Sequence, residues 1–184
     1  GADCALSRVA VLRGDSIKDP ADMSTPFWVD EGKRKRIFSA HHLNRDSITA
    51  YIEALHAFAP DILFCYPSSL GALLHALPIE NGLHIPVIFA SSEMLPMATV
   101  ELAREMLGAR IINYYGHAER IVAAADFDGE GCRFLPFYGH VELVPDGEGE
   151  GHLLARMIAT SLWDHGQIFI RYDTGDRARV PSHD

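Results

Sequence analysis

The chain has 184 residues, 48% of them hydrophobic and 22% charged, a balance that suits one globular domain with a sizeable core and excludes a disordered, collagen-like or low-complexity chain. Sixteen Lys and Arg against 25 Asp and Glu leave a formal charge of −9, which argues against a nucleic-acid backbone or an anionic membrane as the main partner. A small anionic ligand stays open, because local backbone donors can hold one.

Residues 1–40 are the least readable, with strand-like runs at Val9–Leu12 and Ile37–Ala40 around an irregular segment that holds Pro20, Pro26 and Trp28. The basic run Lys33, Arg34, Lys35, Arg36 reads as a solvated turn or strand edge. Ile48, Tyr51, Ile52, Leu55 and Phe58 fall on one helical stripe, with Asn44 or Asp46 available as a cap and Pro60 and Asp61 as the stop. Ile62–Cys65 is a continuous apolar run, expected of a strand buried on both faces. A helix follows from Ser68 to about Leu77, then a strand at Val87–Ala90, a helix from Pro96 to Leu107 ended by Gly108, and a strand at Arg110–Tyr115. Alternating strands and helices with short connections predict a parallel sheet with flanking helices.

After Gly116 the texture changes. Strand-like runs at Ile121–Ala125, Arg133–Tyr138, His140–Val144, Leu153–Ala159 and Ile168–Tyr172 alternate with turn clusters, among them Pro145–Gly151 with its Asp146-Gly147 hairpin signal. The expectation is an α/β subdomain over 1–126, followed by a mainly antiparallel, β-rich segment over 127–184.

Cys4, Cys65 and Cys132 are odd in number and far apart, which suggests neither a disulfide framework nor a structural zinc site and fits a reducing cytoplasm. Cys65, inside an apolar strand, reads as a core residue. No segment approaches the ~18 consecutive apolar residues of a membrane span, and no signal peptide is expected. His41 and His42 are adjacent and would point to opposite faces of a strand, so they cannot chelate one metal together.

Chemistry is expected beyond the carboxyl ends of the parallel strands. The first helix-linked strand ends in Tyr66-Pro67-Ser68-Ser69, the second in Ser91-Ser92-Glu93, the third in Tyr114-Tyr115-Gly116-His117-Ala118-Glu119. Taken singly, Ser68 and Ser69 read as helix caps. The third loop offers aromatic surface for a ring, a glycine that permits close approach, and a carboxylate for a hard cation. A fourth motif, Arg171-Tyr172-Asp173-Thr174-Gly175-Asp176, presents a carboxylate that could accept hydrogen bonds from a vicinal diol, or is simply a turn.

Tyr115-Gly116-His117-Ala118-Glu119 and Tyr172-Asp173-Thr174-Gly175-Asp176 resemble, in that order and at a fitting interval, the paired motifs of the adenylate-forming superfamily. The upstream Tyr66-Pro67-Ser68-Ser69-Leu70 and Ser91-Ser92-Glu93 narrow the resemblance to the phenylacetate-CoA ligase branch and its capsular polysaccharide biosynthesis relatives. It spans about Val9 to Asp176 and implies the central part of that family's large domain.

What the resemblance implies is ATP-dependent activation of a small carboxylic acid to an acyl-adenylate, then transfer to the thiol of coenzyme A. Glu119 would bind Mg as the catalytic carboxylate and Asp176 the ribose hydroxyls. Tyr115, Gly116 and His117 would lie along adenine and the α-phosphate, and Ser92 and Glu93 beside the adenine. Tyr66, Pro67, Ser68 and His42 would line the acyl pocket, although His42 also fits a surface or satisfied core histidine. Ala118 stands where most members carry Thr or Ser, so a hydroxyl contact to the α-phosphate is missing unless His117 or a backbone N–H replaces it.

No Ser/Thr/Gly-rich phosphate loop precedes these motifs, eight residues follow Asp176, and the first residue is Gly. The expectation is therefore a piece of a ligase that lacks the phosphate loop and the lysine-bearing lid and is inactive alone. The alternatives are a shortened non-catalytic nucleotide-binding or assembly protein and a plain α/β domain with accidental motifs. Neither the acid nor the oligomeric state is legible.

Overall fold

The computed structural model describes residues 6–149, 151–163 and 166–181; Cys4 lies outside them. The chain divides into two compact units, residues 1–113 and 114–184.

The first unit carries β1 (Val9–Arg13), β2 (Trp28–Glu31), β3 (Lys35–Ser39), α1 (Ile48–Phe58), β4 (Ile62–Cys65), α2 (Pro67–Ala76), β5 (Val87–Ser91), α3 (Met97–Leu107) and the start of β6 (Arg110–Gly116). Its strand order is β2-β3-β1-β4-β5-β6, with β3, β1, β4 and β5 parallel. The chain leaves β1 for β3 on one side and returns to β4 on the other. That reversal is the kind of position where α/β sheets bind ligands.

The face formed by Ala10, Leu12, Leu63, Cys65, Ile88 and Ala90 packs on Tyr51 and Leu55 of α1, Leu70 and Leu73 of α2 and Ala103 and Leu107 of α3 in one cluster. Because all three helices meet this face, the expectation that Ile62–Cys65 is buried on both sides fails at Phe64. It is 38% exposed and stacks on its register partner Phe89 with ring centroids 5.0 Å apart.

The irregular lead-in contains a strand that the periodicity did not reveal: β2 pairs antiparallel with β3. The basic run is consumed in this hairpin, where Lys35 pairs with Glu31 and Arg36 with Asp30, both at 2.7 Å. Neither Asn44 nor Asp46 is the cap of α1. Ser47 is the N-cap residue, its hydroxyl is bonded to the His42 carbonyl, and Asn44 Oδ1 accepts the N–H groups of Asp46 and Ser47 in the preceding turn. Pro96 is the N-cap residue of α3 rather than part of its first turn, and Gly108 ends the helix with φ of 61° as expected.

In the second unit the end of β6 is followed by β7 (Ala123–Asp126) and β8 (Arg133–Phe134), which pair antiparallel. A separate antiparallel sheet has the order β11-β10-β9, built from β9 (Gly139–Gly149), β10 (His152–Ser161) and β11 (Tyr172–Pro181). Three expectations shift here. Arg133–Tyr138 forms only the short β8. Asp146-Gly147 lies inside β9 at a register break rather than at the hairpin turn. Residues 168–171 are outside any strand, and Tyr172 begins β11 instead of ending a strand, so the Thr-Gly-Asp motif is carried within it.

Candidate functional site

Because β4 and β5 are parallel neighbours, their carboxyl ends open onto the same edge of the sheet. The first leads through Tyr66 into α2, whose N1 residue is Pro67 and which has no side-chain cap of its own. The second leads into Ser91, Ser92 and Glu93. Glu93 crosses this gap: Oε2 accepts the Ser68 backbone N–H at 2.8 Å and Oε1 accepts the Ser68 hydroxyl at 2.9 Å. A carboxylate thus occupies the positive end of α2, as free helix N–H groups favour. Ser92 is held between them with φ of 73°, a left-handed conformation that is costly for a residue with a Cβ. The glutamate assigned beside the adenine is therefore engaged in fixing one loop to the next helix, a role that a local capping pattern could not reveal.

His42 does not line an open pocket. It is 1% exposed, Nδ1 lies 2.7 Å from the Ser39 hydroxyl, Nε2 lies 3.2 Å from the Asp19 carbonyl, and the ring stacks on Phe27. This is a satisfied core histidine, one of the two readings open from the sequence. Its neighbour His41 is exposed. Cys65 is likewise buried; burial, with Glu93 nearby, pushes its thiol up to about 12, which suppresses the thiolate.

In the second unit, Tyr115, Gly116, His117 and Glu119 occupy the end of β6 and the tight turn that follows. The His117 N–H donates to the Val122 carbonyl at 3.3 Å, and the Arg120 N–H donates to the His117 carbonyl at 2.9 Å. At Gly116 a Cβ would lie 2.8 Å from the far end of the Tyr114 side chain, which would have to move aside. His117 Nδ1 is in close contact with Glu119 Oε2, and the imidazole meets Tyr172 edge-on, with ring centroids 6.0 Å apart.

The Thr-Gly-Asp motif sits at a bulge. Arg156 of β10 is opposite Arg177 and Ile158 is opposite Asp173, so Met157 alone faces Thr174, Gly175 and Asp176. The Thr174 hydroxyl donates to the Met157 carbonyl at 2.9 Å and accepts the Asp176 N–H at 3.2 Å. This geometry turns Asp176 toward β6, where the Tyr115 hydroxyl donates to its Oδ2 at 2.6 Å. Burial first, and then this carboxylate, raise the Tyr115 phenol above its ordinary range. Two motifs 61 residues apart in sequence thus meet in one hydrogen bond.

Within the turn that follows β6, Glu119 is the carboxylate available to a divalent cation. Among the described residues no group of three or more His, Cys, Asp or Glu could hold a metal by itself. One carboxylate completed by phosphate oxygens is a donor set that Mg accepts, so the residues fit that ion as a companion of a nucleotide.

The chain aligns with an open conformation of 2-hydroxyisobutyryl-CoA ligase in complex with 2-HIB-AMP and CoA at a TM-score of 0.60 and 17% identity, covering 93% of this chain and 40% of the ligase. VinN in complex with L-aspartate gives a TM-score of 0.60 at 17% identity, over 95% of this chain and 48% of VinN. O-succinylbenzoate coenzyme A synthetase from Bacillus subtilis, in complex with ATP and magnesium ion, gives 0.51 at 18% identity, over 73% of this chain and 32% of that one. The chain shares its fold with part of each of these structures. No family model matches the sequence, and no curated protein matches it. At these identities the likeness is one of fold, and the chain spans less than half the length of each of these structures.

Proposed function

We propose that the chain is part of an AMP-forming acid–CoA ligase-like enzyme, which activates a small carboxylic acid with ATP to an acyl-adenylate and passes the acyl group to a thiol. The observation that carries this reading is the 2.6 Å bond between Tyr115 and Asp176, which joins the two motifs of the adenylate-forming resemblance at one place in the second unit. Asp176 would accept hydrogen bonds from the ribose hydroxyls. Tyr115, Gly116 and His117 would border the adenine and α-phosphate, and Glu119 would hold Mg. Attack of a carboxylate on the α-phosphorus brings negative charges together, and Mg would supply the compensating charge there. Ser92 and the backbone around it would approach the base, with Glu93 and Ser68 fixing that loop. Tyr66 and Pro67, at the carboxyl end of β4, are the remaining candidates for the acyl pocket.

The finer assignment, to the phenylacetate-CoA ligase and capsular polysaccharide branch with coenzyme A as the thiol, rests on the Tyr66–Leu70 and Ser91–Glu93 motifs. A cytoplasmic setting fits the free Cys65 and Cys132. Among the described residues, no helix is long and apolar enough to cross a membrane.

Calorimetric titration of the chain with AMP, and with ATP in the presence and absence of Mg, tests the reading. Asp176→Ala should weaken both nucleotides about tenfold or more, the size of a lost hydrogen bond to a charged group. Glu119→Ala should remove only the Mg-dependent part of ATP affinity. Unchanged binding in both variants would overturn the proposal and leave the motifs as structural turns.

A further inference from the structure

We propose that Tyr115 is a positioning residue for the Asp176 carboxylate, whose hydroxyl sets the selectivity of the site for a nucleotide carrying an intact vicinal diol; the proposal rests on the reading of Asp176 as the ribose ligand. Asp176 lies on an exposed bulge, and a carboxylate there is free to turn about two side-chain bonds unless something holds it. Its backbone is fixed through Thr174, which is bonded to Met157 and to the Asp176 N–H. Its side chain is fixed by Tyr115 alone among the bonds described for that carboxylate: the phenol donates to Oδ2 at 2.6 Å.

Tyr115 can act as an anchor because its own ring is held. It packs against the buried cluster of Ile121, Val122 and Ala159, so part of its surface is spent on the core of the second unit. A phenol is protonated at neutral pH, and burial and the neighbouring carboxylate raise this one further, so it is a donor to Asp176.

The consequence for a ligand follows from donor and acceptor counting. A carboxylate has about four acceptor positions on two oxygens. With one position on Oδ2 taken by the phenol, the carboxylate plane is set, and Oδ1 together with the remaining position on Oδ2 can accept two hydroxyls on adjacent carbons. Without the phenol the carboxylate keeps its charge and loses its fixed plane. It can still take one hydroxyl at a time, but the preorganisation that rewards a pair is gone.

The test uses the full chain with AMP, 2′-deoxy-AMP and 3′-deoxy-AMP as probes. The wild-type chain should prefer AMP by about tenfold over each deoxy analogue. Tyr115→Phe keeps the packed ring and removes the phenol, so the preference for AMP over the deoxy analogues should fall below about threefold, on the same hydrogen-bond scale. Asp176→Asn should abolish the preference, and Tyr115→Phe added to it should have little further effect, as expected for groups acting as a unit.

Independently of any nucleotide, the ¹³Cζ resonance of Tyr115 should titrate above that of exposed tyrosines, and Asp176→Asn should lower its midpoint. If Tyr115→Phe weakens all three nucleotides equally, or leaves the full preference for AMP while Asp176→Asn removes it, the positioning role falls and the ribose reading stands. If the wild-type chain shows no preference for AMP, or Asp176→Asn leaves that preference intact, the ribose reading falls and takes the proposal with it. A Tyr115 titration unmoved by Asp176→Asn overturns the contact itself.

Discussion

Ser92 illustrates what a single backbone angle costs a loop. Its φ of 73° costs a residue with a Cβ roughly 1 kcal/mol relative to glycine, and the two bonds from Ser68 to Glu93 hold the next residue of the loop in place. Ser92→Gly should therefore be more stable than Ser92→Ala by about 1 kcal/mol in urea unfolding. Equal stability would mean that the loop relaxes out of the strained conformation. Glu93→Ala should cost about 1 kcal/mol, because it uncaps α2. Ser68→Ala added to it should cost less than it does alone, and strict additivity would show that the two residues do not act together.

Two tyrosines give stability a direction in alkali. Tyr51 is 1% exposed and donates to the Ser39 carbonyl at 2.6 Å; burial raises its phenol above the ordinary value of 10.0, and Tyr115 is raised as well. Above pH 10 the unfolded chain gives up these protons while the folded chain keeps them, so the folded state binds more protons and stability falls as pH rises. Below pH 10 the full contribution is present. The loss approaches about 1.4 kcal/mol per pH unit for the buried Tyr51. Tyr51→Phe should flatten the decline measured by denaturant unfolding between pH 10 and 11, and an unchanged slope would refute the assignment to Tyr51.

At the scale of elements, pairing decides what local periodicity leaves open. The hydrophobic stripe Ile48, Tyr51, Leu55, Phe58 and the apolar runs at 62–65 and 87–90 sit in the elements their spacing indicates, because burial against a common core is what produces such spacing. β2 escaped because Trp28-Val29-Asp30-Glu31 alternates poorly and is defined by its partner β3 and by the cross-strand pairs Arg36–Asp30 and Lys35–Glu31. β11 was displaced for the opposite reason: Thr174-Gly175-Asp176 has the composition of a turn, but pairing with β10 absorbs it as a bulge. Thr174→Val keeps the branched shape and removes the hydroxyl that binds Met157 and Asp176, so it should destabilise the protein by about 1 kcal/mol in urea unfolding. Wild-type stability in that variant would mean that the bulge is held by strand pairing alone.

Across the whole molecule, stability should be uneven. The main apolar cluster draws on β1, β3, β4, β5 and all three helices of the first unit, whereas the cluster of the second unit consists of Ile121, Val122 and Ala159. Amide hydrogen exchange should accordingly be slower in β1, β4 and β5 than in β9 and β11, since protection follows local burial. Uniform protection would show that the two units open together. The close approach at Gly139, where a Cβ would lie 1.9 Å from the Ile121 carbonyl oxygen, joins the start of β9 to this smaller cluster.

From sequence alone, the alternation of strands and helices, the antiparallel character of the last third and the four polar motifs were all legible, since periodicity, glycine and proline placement and short polar patterns are local properties of the chain. What each motif residue does was not. Glu93 faces Ser68 because β4 and β5 run parallel and side by side, and His42 is buried because Phe27, from a segment without periodicity, stacks on it. Tyr115 meets Asp176 because a bulge in β11 turns a carboxylate toward a strand 61 residues earlier. These are consequences of which strands pair and in what register, and pairing between distant segments carries no mark in the residues themselves until the chain is folded.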